Sequence, residues 1–140
     1  MSTILIAGAG QLGSRYLQGL RSTSNAHEIY VYDLAQNSLD TAKTRYDDVI
    51  GSGPKHVVHY TGHLNSIPPT IDLAVVTTDS FPRAALVTEL GALAEVKYWL
   101  LEKVLAPSIG ELEIIQNVTS KSQGAWVNHW LRLPAWFRQL

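Results

Sequence analysis

The chain has 140 residues, of which 46% are hydrophobic and 16% charged, and its formal net charge is −1. That balance fits one globular domain of the commonest size and argues against disorder. Lacking any block of like charges, the chain suggests no nucleic-acid or anionic-membrane partner; lacking cysteine, it excludes disulfides and thiolate chemistry.

Met1-Ser2-Thr3 leads straight into an apolar run, with no charged region or cleavage site of a signal peptide. No apolar run approaches the length of a membrane span. The expectation is a soluble, cytoplasmic protein.

In chain order, Ile4-Leu5-Ile6-Ala7 reads as a fully buried strand that stops at a glycine turn. The turn spells G-x-G-x-x-G with Gly8, Gly10 and Gly13, and a helical pattern follows in which Leu12, Tyr16 and Leu20 share one face. In a dinucleotide site Gly8 permits the tight turn, Gly10 lets a pyrophosphate approach the backbone, and Gly13 lets helix and strand pack closely. The helix start then offers free N–H groups to the phosphates. A second strand, residues 27–32, ends on Asp33, 33 − 13 = 20 residues past the last glycine, where the ribose-binding acid of such sites is expected.

Leu39, Ala42, Tyr46 and Val49 predict a helix over about 36–48, broken by Gly51-Ser52-Gly53-Pro54. Residues 56–60 read as a short strand near a sheet edge, because they carry polar side chains, and 67–70 as a loop. Residues 71–78 form a second strongly apolar strand of the parallel, interior kind. Asp79 or Ser80 should cap the next helix, with Pro82 in its first turn and Leu86, Leu90 and Leu93 inward. Tyr98-Trp99-Leu100-Leu101 is another strand, ending at Glu102-Lys103. Ser108 and Glu111 have capping-box spacing, so a helix starts there and should bury Leu112, Ile115 and Val118. Residues 124–128 look like a last strand, and Pro134 could open one more helix.

Strands alternating with helices predict an α/β fold: a doubly wound, Rossmann-like parallel sheet of about six strands with helices on both faces. Trp130, Leu133, Trp136, Phe137 and Leu140 load the last eleven residues with apolar surface, which predicts a homo-oligomer built through that segment.

These residues resemble the N-terminal half of the glucose–fructose oxidoreductase / inositol dehydrogenase / MocA-like oxidoreductases. The matches are Gly8-Ala9-Gly10-Gln11-Leu12-Gly13-Ser14-Arg15, Asp33 at the end of the second strand, and Val75-Val76-Thr77-Thr78-Asp79-Ser80. More specific is Leu101-Glu102-Lys103-Val104-Leu105-Ala106, similar to the family's Glu-Lys-Pro-Leu-Ala. Val104 and Thr78 stand where the family has prolines. The resemblance spans nearly the whole chain and implies one NAD(P)-binding domain over 1–140, with the last ten or so residues leading toward a separate substrate domain. It implies cofactor contacts from Gln11, Leu12, Leu34, Thr77, Thr78, Asp79 and Glu102 besides the three glycines and Asp33. It also places Lys103 beside the nicotinamide as the catalytic residue.

Asp33 can accept hydrogen bonds from both adenine-ribose hydroxyls and would repel a 2′-phosphate, and Leu34 supplies no compensating cation. That favours NAD over NADP. Lys103 lies at the carboxyl end of a strand, where ligands of open α/β sheets bind. His56 and His59 should point to opposite faces of one strand, so no metal site is expected. The first functional reading is the cofactor half of an oxidoreductase moving hydride between NAD and a sugar-like or polyol substrate held by a second domain. The alternative is a nucleotide-binding module that self-associates and has no catalytic activity.

Overall fold

A computed structural model describes residues 1–50 and 53–129. Gly51 and Ser52 of the expected helix break lie outside the described residues. So does the apolar cluster from Trp130 to Leu140, together with the helix and the self-association expected of it.

Six strands form one sheet: β1 (Ser2–Ala7), β2 (His27–Tyr32), β3 (Val57–Thr61), β4 (Thr70–Val76), β5 (Glu95–Glu102) and β6 (Gly124–Asn128). Four helices alternate with them: α1 (Gln11–Leu20), α2 (Gln36–Asp47), α3 (Ser80–Leu93) and α4 (Ile109–Thr119), and a 3-10 turn (Leu64–Ser66) precedes β4. Every pairing is parallel, in the order β3-β2-β1-β4-β5-β6. The strand order therefore reverses between β1 and β4, and ligands of open α/β sheets bind in the crevice beyond such a reversal. The expected doubly wound sheet is present, with β3 at an edge as its polar residues implied.

The side chains divide into two cores because strand residues alternate between faces. Ile4, Ile6, Ile29 and Val31 pack under α1 and α2 with Leu17, Leu39, Ala42 and Tyr46. Leu5, Ala7, Ala74, Val76 and Trp99 pack on the other face with Val87 and Leu90 of α3 and Ile115 of α4. Each such valine, leucine or isoleucine contributes about 1.5–3 kcal/mol by leaving water.

Two local expectations are corrected. Strand β5 begins at Glu95 rather than Tyr98, since Lys97 is matched by Asp72 on β4 (Nζ to Oδ1, 2.7 Å), whose other oxygen accepts the Thr3 N–H at 2.8 Å. The polar start of that strand is thus paired and not a loop. Leu93 and Leu112 are not inward: each is 40% exposed, while Ala84 and Val87 take the inner face of α3. In α1 the buried residues are Gly13, Ser14 and Leu17, whereas Leu12 is half exposed. The Leu12/Tyr16/Leu20 stripe lines a cavity, and Tyr16 and Leu20 also pack against the core. The Ser108–Glu111 cap does form: the Ser108 hydroxyl accepts the Glu111 N–H at 3.3 Å and donates to its carboxylate at 2.9 Å.

Candidate dinucleotide-binding site

The glycine turn leaves β1 through Gly8, whose φ of +104° suits a residue without a Cβ. Its N–H donates to Tyr32 O at 2.8 Å, and its carbonyl accepts the Thr77 hydroxyl at 2.6 Å. Gly13 presses against the same carbonyl so closely that a Cβ there would stand 1.8 Å from Gly8 O. At Gly10 the opposite holds: a Cβ would meet nothing within 4 Å. Gly10 also caps α1 without any side-chain bond, and an uncapped helix start has free N–H donors, from Gln11, Leu12 and Gly13 here. A side-chain-free concavity edged by N–H groups and the positive end of a helix dipole fits a phosphate.

Asp33 is built onto this turn. One carboxylate oxygen accepts the Ala9 N–H at 2.7 Å and the other accepts the Ala35 N–H at 2.8 Å, leaving lone pairs on both for further donors. A cleft of about 300 Å³ opens beside it, bordered by Gly8, Leu34, Thr78, Pro82 and Leu86. The Thr78 hydroxyl is buried there without a partner, and Asp79 starts α3 from an exposed position with no side-chain cap bond. Two arginines that could soften the charge of Asp33 are engaged elsewhere. Arg45 donates to the Ser14 hydroxyl (2.6 Å) and Arg15 to the Gln18 amide oxygen (2.7 Å).

A second cavity, of about 620 Å³, lies along the exposed stripe of α1, between Leu12, Tyr16 and Leu20 and the end of β5 at Glu102 and Lys103. Lys103 is exposed, whereas Glu102 is buried. The Glu102 carboxylate accepts the Tyr16 hydroxyl at 2.7 Å and the Asn128 amide at 2.7 Å, and Asn128 also donates to the Tyr16 oxygen at 2.5 Å. One carboxylate thereby ties α1, β5 and β6 together at the cavity floor.

Burial, then the hydrogen bond and charge of Glu102, push the Tyr16 pKa well above its ordinary value. A raised tyrosine pKa means the neutral form is favoured in the fold, so its stabilising effect is complete below about pH 10 and is lost as pH rises beyond it. Tyr16→Phe should lower stability at pH 8 by about 1 kcal/mol. It should also flatten the decline above about pH 10. Urea unfolding at pH 8, 10 and 11 measures both, and parallel wild-type and variant curves would contradict the assignment.

The structure gathers Gly8, Asp33, Leu34 and Thr78 around the first cleft and Leu12, Glu102 and Lys103 around the second cavity, with Gln11 and Gly13 at the helix start between them. Arg83 escaped the sequence reading. It is 1% exposed, and its guanidinium donates to the carbonyls of Glu102 (2.5 Å), Val104 (2.5 Å), Leu105 (3.1 Å) and Thr78. Its position was a signal, because an arginine three and seven residues before Leu86 and Leu90 falls on the buried stripe of its helix.

His56 also departs from the expected strand pair. It precedes β3, is buried, accepts the His27 N–H through Nδ1 at 3.0 Å, and donates from Nε2 to Leu20 O at 2.7 Å. It fastens the end of α1 to β2.

No protein-family model and no curated protein matches the chain. Solved structures do match. One is myo-inositol dehydrogenase from Lactobacillus casei in complex with NAD(H) and myo-inositol, with a TM-score of 0.77, 16% identity, and coverage of 99% of this chain and 40% of that one. The WlbA dehydrogenase from Chromobacterium violaceum, in complex with NADH and UDP-GlcNAcA, matches with a TM-score of 0.75, 16% identity, and coverage of 99% and 38%. A putative NADPH-dependent oxidoreductase from Desulfitobacterium hafniense matches with a TM-score of 0.71, 13% identity, and coverage of 99% and 37%. The chain thus spans about two-fifths of the length of these proteins. The resemblance read from the glycine turn and the Glu-Lys segment is borne out in the fold: the chain shares the Rossmann-like α/β architecture of the matched part of inositol dehydrogenases and related oxidoreductases.

Proposed function

We propose that the chain binds a nicotinamide dinucleotide, NAD in preference to NADP, as the cofactor-holding domain of an oxidoreductase. The observation that carries this reading is Asp33 seated on the glycine turn, with one carboxylate oxygen 2.7 Å from the Ala9 nitrogen. The acid and the phosphate cradle then belong to one rigid unit, as adenosine and pyrophosphate recognition requires. The N–H groups of Gln11, Leu12 and Gly13 hold the pyrophosphate, and Asp33 accepts the ribose hydroxyls. Leu34, Thr78 and Asp79 border the adenosine cleft. The cofactor, when bound, supplies a hydride acceptor or donor at its nicotinamide end.

Glu102 and Lys103 stand at the carboxyl end of β5, on the side of the reversal where that end would lie. In this reading Lys103 is the catalytic group, orienting a substrate hydroxyl or carrying its proton. The substrate is sugar-like or a polyol and is held by a second domain. The likeness in fold to dehydrogenases solved with inositol or a nucleotide sugar supports that class. Titration calorimetry with NAD, NADH and NADPH is the test. Saturable heat with NAD and NADH, weaker with NADPH, is expected; no heat with any of them, in protein shown to be folded, overturns the proposal.

A further inference from the structure

Buried cations are costly unless every donor finds an acceptor, and an arginine is normally matched by a carboxylate. Arg83 is matched by backbone at both terminal nitrogens, Nη1 and Nη2, while its buried Nε has no partner. Its guanidinium reaches from α3 to Thr78 O in the turn after β4, to Glu102 O at the end of β5, and to Val104 O and Leu105 O in the turn that follows. The nearby charges of Glu102 and Asp79 oppose the effect of burial on it. Carbonyls in irregular turns have no ladder partner, so one planar fork satisfies several that would otherwise be orphaned.

The two turns border different parts of the site. Thr78 borders the cleft beside Asp33, and its neighbour Thr77 holds the Gly8 carbonyl. The other turn carries Lys103 at the mouth of the second cavity. Arg83 lines neither space.

We propose that Arg83 is a positioning residue that fixes where Lys103 stands relative to the glycine turn, and so governs the nicotinamide end of the site without touching the ligand. This rests on the dinucleotide reading above. Neighbouring strands β4 and β5 set the spacing of the two turns only as far as Val76 and Leu101. Beyond those residues β4 and β5 no longer pair with each other, and the Arg83 fork joins the two chain segments that follow.

The experiment compares NADH with ADP-ribose, which carries the adenine ribose and pyrophosphate but no nicotinamide. Arg83→Lys keeps the charge and loses the fork; Arg83→Gln keeps planarity and loses the charge. In both variants ADP-ribose affinity should stay within about two-fold of wild type. The advantage of NADH over ADP-ribose should fall about ten-fold, the scale of one lost hydrogen bond involving a charged group. Amide exchange should quicken at residues 104–106 and stay unchanged in β1, β2 and β4, which separates a loosened turn from a loosened fold. A variant too unstable to titrate directly is read by competition at saturating ADP-ribose, whose binding favours the folded state. An unchanged NADH preference, or an equal loss for both ligands, overturns the positioning role. Failure of the wild-type chain to bind either ligand overturns instead the dinucleotide reading on which it rests.

Discussion

Gly10→Val should fold and fail to bind NADH. A valine Cβ at that position meets no protein atom within 4 Å, and the residue already has an ordinary φ of −65°. Valine is a poorer helix cap than glycine, at a cost of about 1 kcal/mol, which a domain of this size tolerates. Its methyl groups occupy the space a pyrophosphate needs. Loss of two hydrogen bonds to a charged phosphate, at roughly 1.5–3 kcal/mol each, weakens binding about a hundred-fold or more.

Gly13→Ala gives the converse. Its Cβ would lie 1.8 Å from Gly8 O, a backbone atom that cannot swing away. The cost is about 3 kcal/mol or more of stability, with binding lost through the fold. Thermal unfolding and calorimetry on both variants separate the two cases. Strong NADH binding by Gly10→Val would mean that the phosphate does not lie on this turn.

The second large effect belongs to Asp33. Asp33→Ala removes an acceptor for the ribose hydroxyls, worth roughly 1.5–3 kcal/mol, or ten-fold and upward in affinity. It also orphans the N–H of Ala9, a residue only 1% exposed, so some stability is lost as well. Asp33→Asn keeps an acceptor for that N–H and discards the charge. Its affinity for NADH should fall less, while its discrimination against NADPH should disappear, since the repulsion of a 2′-phosphate is gone. Binding constants for NADH and NADPH with the two variants decide this. A discrimination ratio unchanged in Asp33→Asn would show that the carboxylate does not face the 2′ position.

The strands were legible because interior parallel strands are continuous apolar runs, and residues 4–7 and 71–76 are little else. The turn was legible because glycine at three fixed offsets has few other physical reasons. The helices were harder to read. Hydropathy put Leu12, Tyr16 and Leu20 on one face of α1, yet close packing on the sheet selected Gly13, Ser14 and Leu17. Small residues let a helix approach a strand, and on a hydropathy scale they look neutral. The larger apolar residues were free to line the cavity beside Glu102. Leu93 and Leu112 misled for the same reason, since an apolar residue at helical spacing is not obliged to be buried.

The wiring of the site was the least legible part. The Glu102–Tyr16–Asn128 network joins residues 86 and 26 positions apart, and the Arg83 fork depends on where two turns end. No spacing rule reaches such pairs. Only the oddity of an arginine on an apolar stripe offered a signal for one of them, and the sequence reading passed over it.

The seam between β1 and β4 also sets an order in time. Within the first three strands and their helices, each parallel neighbour is the next strand along the chain, so its partners lie within a few tens of residues. The seam closes a far longer loop, joining Gly8 to a threonine 69 positions away. Closing long loops is the slow part of assembling a sheet. A refolding chain is therefore expected to recover most of its helix and strand before Thr77 arrives to hold the Gly8 carbonyl. On the proposed reading, ligand competence is the last property such a chain acquires, and stopped-flow refolding in the presence of NADH should show binding lagging behind the recovery of helix signal.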